Sequence, residues 1–230
     1  MNDSSDLFRR RRFMQGFCIA AGGLAIGPIF GCSHVIVAGS KLINGDPKQE
    51  AEFTTLTHED LSKGLRTVLV VCSSPEAVED DVSTLRLDLI DGVARRMKLH
   101  GVRVINPDQV ADWIDEHDGV VTDLQSLATD FETDYIAWID VQAFSLHEPN
   151  SQRLLRGRTS GFIHVYKVEE RDGRQMALKV YSREFSMTYP QHQPISEQGR
   201  GLDVFQKDYV KQLCDFLSER FYNHRPGNRF

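Results

Sequence analysis

The chain has 230 residues, 40% hydrophobic and 26% charged, with a formal net charge of −6 and a mean hydropathy of −0.36. These values exclude a wholly disordered chain, a collagen-like repeat and a polytopic membrane protein, and they fit one globular domain with some chain to spare. Without residues 1–31, which carry Arg9, Arg10, Arg11 and Arg12 against Asp3 and Asp6, the net charge falls from −6 to −8. So acidic a body is a poor ligand for phosphate backbones, and no nucleic-acid partner is expected.

The N-terminus has the layout of an export signal. Four arginines precede a stretch from Phe13 to Phe30 with no ionisable side chain except the Cys18 thiol, and Gly31-Cys32 follows. That stretch spans about 27 Å as a helix, the short end for a bilayer core, and Gly22, Gly23, Gly27 and Pro28 weaken it further. Arg10, Arg11 and Phe13 resemble the twin-arginine export motif. Ile29-Phe30-Gly31-Cys32 resembles a bacterial lipobox, with Phe30 where a small residue is usual. The resemblance implies cleavage before Cys32 and lipidation of its thiol. An uncleaved N-terminal anchor helix is the alternative, and both place the domain at a membrane, outside the cytoplasm.

The expected organisation is an export signal over 1–31, a tether and packing segment over 32–66, one domain over 67–224 and a disordered tail over 225–230. In the tether, Val35 to Leu42 is mildly apolar, Asn44-Gly45-Asp46-Pro47 is a turn signal, and Phe53 to Leu65 has no firm period. The run Thr67-Val68-Leu69-Val70-Val71-Cys72, stopped by Ser73-Ser74-Pro75, predicts a strand buried on both faces. Val82, Leu85, Leu89, Ile90, Val93 and Met97 predict one helix from about Asp80 to His100, ended by Gly101. A short strand over Val102 to Ile105 follows. Asn106-Pro107-Asp108 opens a helix that turns Val110, Trp113 and Ile114 inward, and Leu124 to Phe131 marks another.

From Asp134 the period changes to two. Strands are expected over Tyr135 to Phe144, Phe162 to Val168 and Met176 to Tyr189, with Asp172-Gly173 as a hairpin turn. Phe205, Tyr209, Leu213, Leu217 and Phe221 place an aromatic stripe on a closing helix. The fold class is therefore α/β: one mixed sheet, parallel in its first half and an antiparallel meander in its second, packed with helices.

This order resembles a group of bacterial envelope domains that includes the curli-secretion lipoprotein, the lipoprotein activators of penicillin-binding proteins and the N-terminal domain of Tol protein B. The resemblance covers about Thr67 to Tyr222. It rests on Gly101-Val102-Arg103-Val104-Ile105 with Asp108-Gln109-Val110, on Leu127-Ala128, on Asp134-Tyr135-Ile136 and on the long hairpin after the polar loop Leu146 to Arg153. The chain is also similar to planctomycete-type secreted lipoproteins through its apolar strand, Asp91-Gly92-Val93 with Arg95-Arg96, and Gly157-Arg158. These resemblances imply location, shape and a docking role, and they transfer no catalytic residue.

Signatures for P-loops, nucleophile elbows, zincins and C-x-x-C redox sites are missing from the sequence, so no enzyme activity, cofactor or metal is expected. Asp115-Glu116-His117-Asp118 offers oxygen and imidazole ligands, but four adjacent residues at a helix end point in different directions and read as a solvated turn. Cys72 and Cys214 read as buried small hydrophobes, with a disulfide between them as the alternative. Asp140 lies inside an apolar strand, where a carboxylate needs a partner. Alternation puts it on a face with Ile136, Trp138, Gln142 and Phe144, and Arg156, Arg158, His164, Arg183 or Glu184 could meet it. Trp138, Asp140 and His164 thus form a candidate pocket for a small molecule or lipid. A hydrolase would need Asp140 and His164 within hydrogen-bond reach.

Tyr189, Pro190 and His192 belong to a rigid loop ending at Pro194 that reads as a recognition loop or a plain connector. Arg153, Arg156 and Arg158, at the start of the second meander strand, form a basic cluster, read as charge protecting a strand edge, with a face toward an anionic envelope component as the alternative. The expected function is that of a lipid-anchored cell-envelope protein that docks onto or helps assemble another envelope protein, with no catalysis. The alternative is a ligand-binding module built on Trp138, Asp140 and His164.

Overall fold

The structure, a computed structural model, describes residues 48–117 and 124–225. The export signal, Cys32, most of the tether, Asp118-Gly119 and the tail beyond Arg225 lie outside the described residues.

The sheet grows outward from its most apolar strand. In β1 (Thr67–Ser73), Val68 to Cys72 are buried without a break, which is the sequence of a strand covered on both faces. It pairs in parallel with β2 (Arg103–Val104) on one side and with β3 (Tyr135–His147) on the other, in register from Val68 opposite Tyr135 to Ser73 opposite Asp140. Two long antiparallel strands follow, β4 (Leu154–Arg171) and β5 (Arg174–Tyr189). The order is β2-β1-β3-β4-β5, and a short β6 (Ile195–Ser196) pairs with the start of β4. The expected mixed sheet, parallel first and antiparallel second, is the observed one. At the β4–β5 turn, Asp172 and Gly173 both have positive φ, 52° and 73°, the conformation that an Asp-Gly turn of this hand requires.

Because β2 and β3 flank β1 on opposite sides, right-handed crossovers put their connecting helices on opposite faces. The first crossover holds α2 (Glu76–Asp81) and α3 (Leu85–Leu99); the second holds α4 (Pro107–Glu116) and α5 (Leu124–Asp130). The closing helix α6 (Leu202–Ser218) packs beside α3 and turns Phe205, Tyr209, Leu213 and Leu217 into the core. Asn106 caps α4 by accepting from the Asp108 amide, with Pro107 at the first helical position.

The packed chain begins upstream of β1. A short helix, α1 (Glu52–Thr57), inserts Phe53 against Tyr135, Tyr181 and Phe221 at ring distances of 6.0, 5.8 and 6.5 Å. Glu52 on the same turn accepts from Arg183 and Arg220 (3.0 and 2.8 Å), which fastens the segment to β5 and to the chain after α6.

Three sequence expectations are corrected. The single helix from Asp80 to His100 is two, because Val82 leaves helical geometry at φ −142° and Thr84 turns its hydroxyl to the Asp88 carboxylate (2.8 Å). The strand expected from Phe162 starts at Leu154, and the polar run before it is paired sheet. Gly157 is a strand residue because the Tyr209 ring lies on it: a Cβ there would stand 2.5 Å from three ring carbons. Phe144 does not share a face with Asp140. A bulge between Val141 and Ala143 shifts the alternation and sends Phe144 to the α6 side, 5.6 Å from the Tyr209 ring.

Candidate functional site

Two of the expected residue groups come together in space, in different places. Trp138 and Asp140 of β3 and His164 of β4 share the sheet face opposite α3 and α6. On the β4–β5 half this face is open: Phe162 is 37% exposed, and Gln142, Ser182 and Glu184 are exposed. Trp138 Nε1 donates to Ser73 Oγ (2.8 Å), Ser73 Oγ donates to Asp140 Oδ1 (2.9 Å), and Gln142 Nε2 donates to Asp140 Oδ2 (2.6 Å). The carboxylate is thus satisfied from β1 and from its own strand. The arginines and Glu184 proposed from the sequence are not its hydrogen-bond partners.

His164 engages different groups. Its Nδ1 lies 2.9 Å from Ser182 Oγ, and its ring lies parallel to Phe162 at 5.9 Å and edge-on to Trp138 at 6.4 Å. Burial lowers its pKa, the Lys179 charge lowers it further, and Asp140 opposes both. Asp140 and His164 share a neighbourhood without a hydrogen bond between them, so the acid–base couple that hydrolysis would need is not formed.

The second group is the loop after β5. Tyr189 stacks on Phe205 and Tyr209 of α6 at 6.1 and 6.3 Å, which fixes where the loop leaves the sheet. From β4, the guanidinium of Arg156 then holds three successive carbonyls. Nε donates to Pro190 O (3.2 Å), and Nη2 donates to Gln191 O (2.6 Å) and His192 O (3.3 Å). Nη1 donates to Glu148 Oε2 (3.2 Å), while Arg158 donates to Glu148 Oε1 (2.8 Å). Desolvation pushes the Glu148 carboxyl up, but the hydrogen bonds and charges of Arg156 and Arg158 outweigh it and hold the pKa below its ordinary value. One member of the expected basic cluster, Arg156, is therefore a clamp on the loop, while Arg158 shares its Glu148 partner.

Between this loop, the last residues of β5 and the outer side of α6 lies a groove of about 410 Å³, lined by Met187, Tyr189, Pro190, His192, Gln212 and Phe216 among others. Tyr189, Pro190 and His192 were singled out from the sequence; Gln212 and Phe216 were not. The α6 stripe that faces the core draws attention away from both, and only the position of β5 gives them a role.

The remaining candidates resolve simply. His117 stacks on Trp113 at 3.8 Å, and its Nδ1 lies 2.7 Å from Trp113 O. Asp118 lies outside the described residues, and no cluster among the described residues could hold a metal ion. Cys72 and Cys214 are buried thiols that no disulfide joins, and burial pushes the Cys214 thiol up to about 12. No helix among the described residues is long and apolar enough to cross a membrane.

No protein-family model matches the chain, and no curated protein matches it. Similar solved structures include lipoprotein GNA1162 from Neisseria meningitidis, 17% identical, covering 66% of this chain and 99% of that one with a TM-score of 0.36. The PelC dodecamer from Paraburkholderia phytofirmans is 10% identical, covering 76% and 96%, with a TM-score of 0.42. A minor lipoprotein from Acinetobacter baumannii is 10% identical, covering 70% and 97%, with a TM-score of 0.32. The architecture described above rests on this chain's own strand register.

The groove offers a largely apolar wall beside a loop held by Arg156.

Proposed function

We propose that the chain is a lipid-anchored cell-envelope protein that docks onto another envelope protein without catalysis. The observation that carries this reading is the Arg156 clamp. A half-buried guanidinium spent on three carbonyls of one surface loop holds that loop beside an apolar groove. Preorganisation of this kind lowers the ordering cost of association. The lipobox-like Cys32 supports the membrane location, and the acidic body weighs against a nucleic-acid partner.

The test is co-purification from native membranes in mild detergent, comparing wild type, Cys32→Ala and Phe216→Ala. The docking reading expects a stoichiometric partner, lost or reduced in Phe216→Ala, and movement of Cys32→Ala to the soluble fraction. Wild type recovered alone from membranes overturns docking, and both forms recovered from the soluble fraction overturn the anchor.

A second reading has its own support, the rings of Trp138, Phe162, His164 and Tyr166 beside the Asp140 network on an open sheet face. As a ligand-binding module it expects a thermal shift with envelope lipids or peptidoglycan fragments, abolished in Trp138→Ala.

A further inference from the structure

Strand β5 is the end strand of the sheet and pairs with β4 alone among the described strands. Half of its backbone N–H and C=O groups therefore point away from the sheet, a template for another strand. Its two halves are treated differently. From Arg174 to Glu184 the edge carries Arg174, Lys179, Arg183 and Glu184 and a bulge beside Tyr181; Arg183 is further tied to Glu52 of α1. These are the devices by which natural sheets prevent edge pairing. From Phe185 to Tyr189 the sequence Phe-Ser-Met-Thr-Tyr carries no charge, no proline and no bulge. The groove lies along that unguarded part.

We infer that residues 185–189 take an extended peptide segment of a partner protein as an added antiparallel or parallel strand. A neutral apolar side chain of that segment would seat in the groove against Met187, Tyr189 and Phe216. The occupant follows from complementarity. An open strand edge supplies main-chain donors and acceptors that only another extended backbone matches residue by residue. Charge selects the side chain. No Asp, Glu, Lys or Arg lines the groove; of the two neighbouring guanidiniums, Arg156 is held by Glu148 and three carbonyls, and Arg220, which lies over the Phe216 ring at 4.7 Å, is held by Glu52. An anionic ligand would meet only guanidiniums already paired with carboxylates, whereas an apolar side chain buries no charge there. The inference rests on the docking reading and names how the partner is gripped.

The test selects a phage-displayed library of random linear peptides on the immobilised folded domain, then measures the selected peptides in solution. Expected are uncharged, β-branched or aromatic sequences with apolar residues at alternate positions. Ser186→Lys, an exposed edge position, should weaken them by about tenfold or more, as should Phe216→Ala. N-methylation of alternate peptide residues should also weaken binding about tenfold, and methylation of the intervening ones should leave it unchanged. Amide shifts should concentrate in 185–192 and 212–216. Selection of nothing, or of peptides indifferent to Ser186→Lys and to N-methylation, overturns the inference. Ser186→Lys keeps the test decisive if Phe216→Ala loses packing. The two readings fail separately: a membrane partner retained by Ser186→Lys leaves docking standing without the added strand, and peptide binding without any membrane partner does the reverse.

Discussion

Replacing Arg156 with methionine keeps the stem that packs beside β4 and removes the guanidinium. The side chain is 18% exposed and makes four contacts, to Pro190 O, Gln191 O, His192 O and Glu148 Oε2. A hydrogen bond involving a charged group contributes about 1.5–3 kcal/mol, and an ordinary one about 0.5–1.5 kcal/mol. Three of the four contacts are at 3.2–3.3 Å, and water reaches the carbonyls of Gln191 and His192 once the guanidinium is gone. Glu148 keeps Arg158. The net cost is therefore about 1–2 kcal/mol, far below the sum of four strong bonds. In a domain of this size each kcal/mol lowers the melting temperature by about 2–4 °C, so Tm should fall by about 2–8 °C. The larger effect is local. Amide exchange from Gln191 to Gln193 should accelerate about tenfold or more, while exchange in β1 should follow only the global change. A fall in Tm beyond about 10 °C would make Arg156 a pillar of the core. Unchanged exchange in the loop would mean that Tyr189 and its stack hold it without help. Either result refutes the clamp.

Gly157→Ala drives a methyl into the Tyr209 ring and should cost about 3 kcal/mol or more, read in urea melts; Tyr209→Leu in the same chain should recover part of it. Cys214, buried with its thiol at about 12, should not react with a thiol reagent at pH 8 until the protein is unfolded. His164 has a pKa below its ordinary 6.5, so the unfolded chain takes up its proton first as pH falls. Stability should then decline from about pH 6.5 down through the native pKa, and His164→Gln should flatten that slope in denaturation midpoints. Glu148, held below its ordinary 4.5, contributes stability above that pH which disappears as acid protonates it through the lower native value; Arg156→Met with Arg158→Met should shrink this acid-side loss.

Local chemistry made much of the fold legible. The unbroken apolar run of β1 announced a central strand, Asp172-Gly173 announced its hairpin, and the spacing of Phe205, Tyr209, Leu213 and Leu217 announced the face of α6. What was missed depends on contacts between distant residues. Gly157 and Gly161 fall before the strand expected from Phe162, and only the Tyr209 ring and the Asp140 carbonyl against them account for glycine within β4. Phe144 changes sides because of a bulge that no two-residue period contains. Among site residues, the loop from Tyr189 was visible through its prolines and aromatic. Arg156 looked like surface charge because its three carbonyl acceptors lie 34 to 36 residues further along the chain.

An unguarded strand edge carries a risk of indiscriminate pairing, and its extent here limits that risk. The span from Phe185 to Tyr189 is about 16 Å long at the rise of a strand, close to the length of an average strand and too short to nucleate a long ladder. At one end the charged, bulged half of β5 closes it, and at the other the clamped loop turns away at Pro190. A partner strand would therefore meet a stop on each side, which sets its length and its register before any side chain is read. The groove would then discriminate by side chain, since one position of that strand would lie over Met187 and Phe216, which line it. Shifting the register by a single residue would turn that side chain to the opposite face and leave the groove empty. Backbone pairing and pocket thus constrain the same degree of freedom. On the proposed binding mode, that is how an edge this short beside a groove without charge would choose one segment.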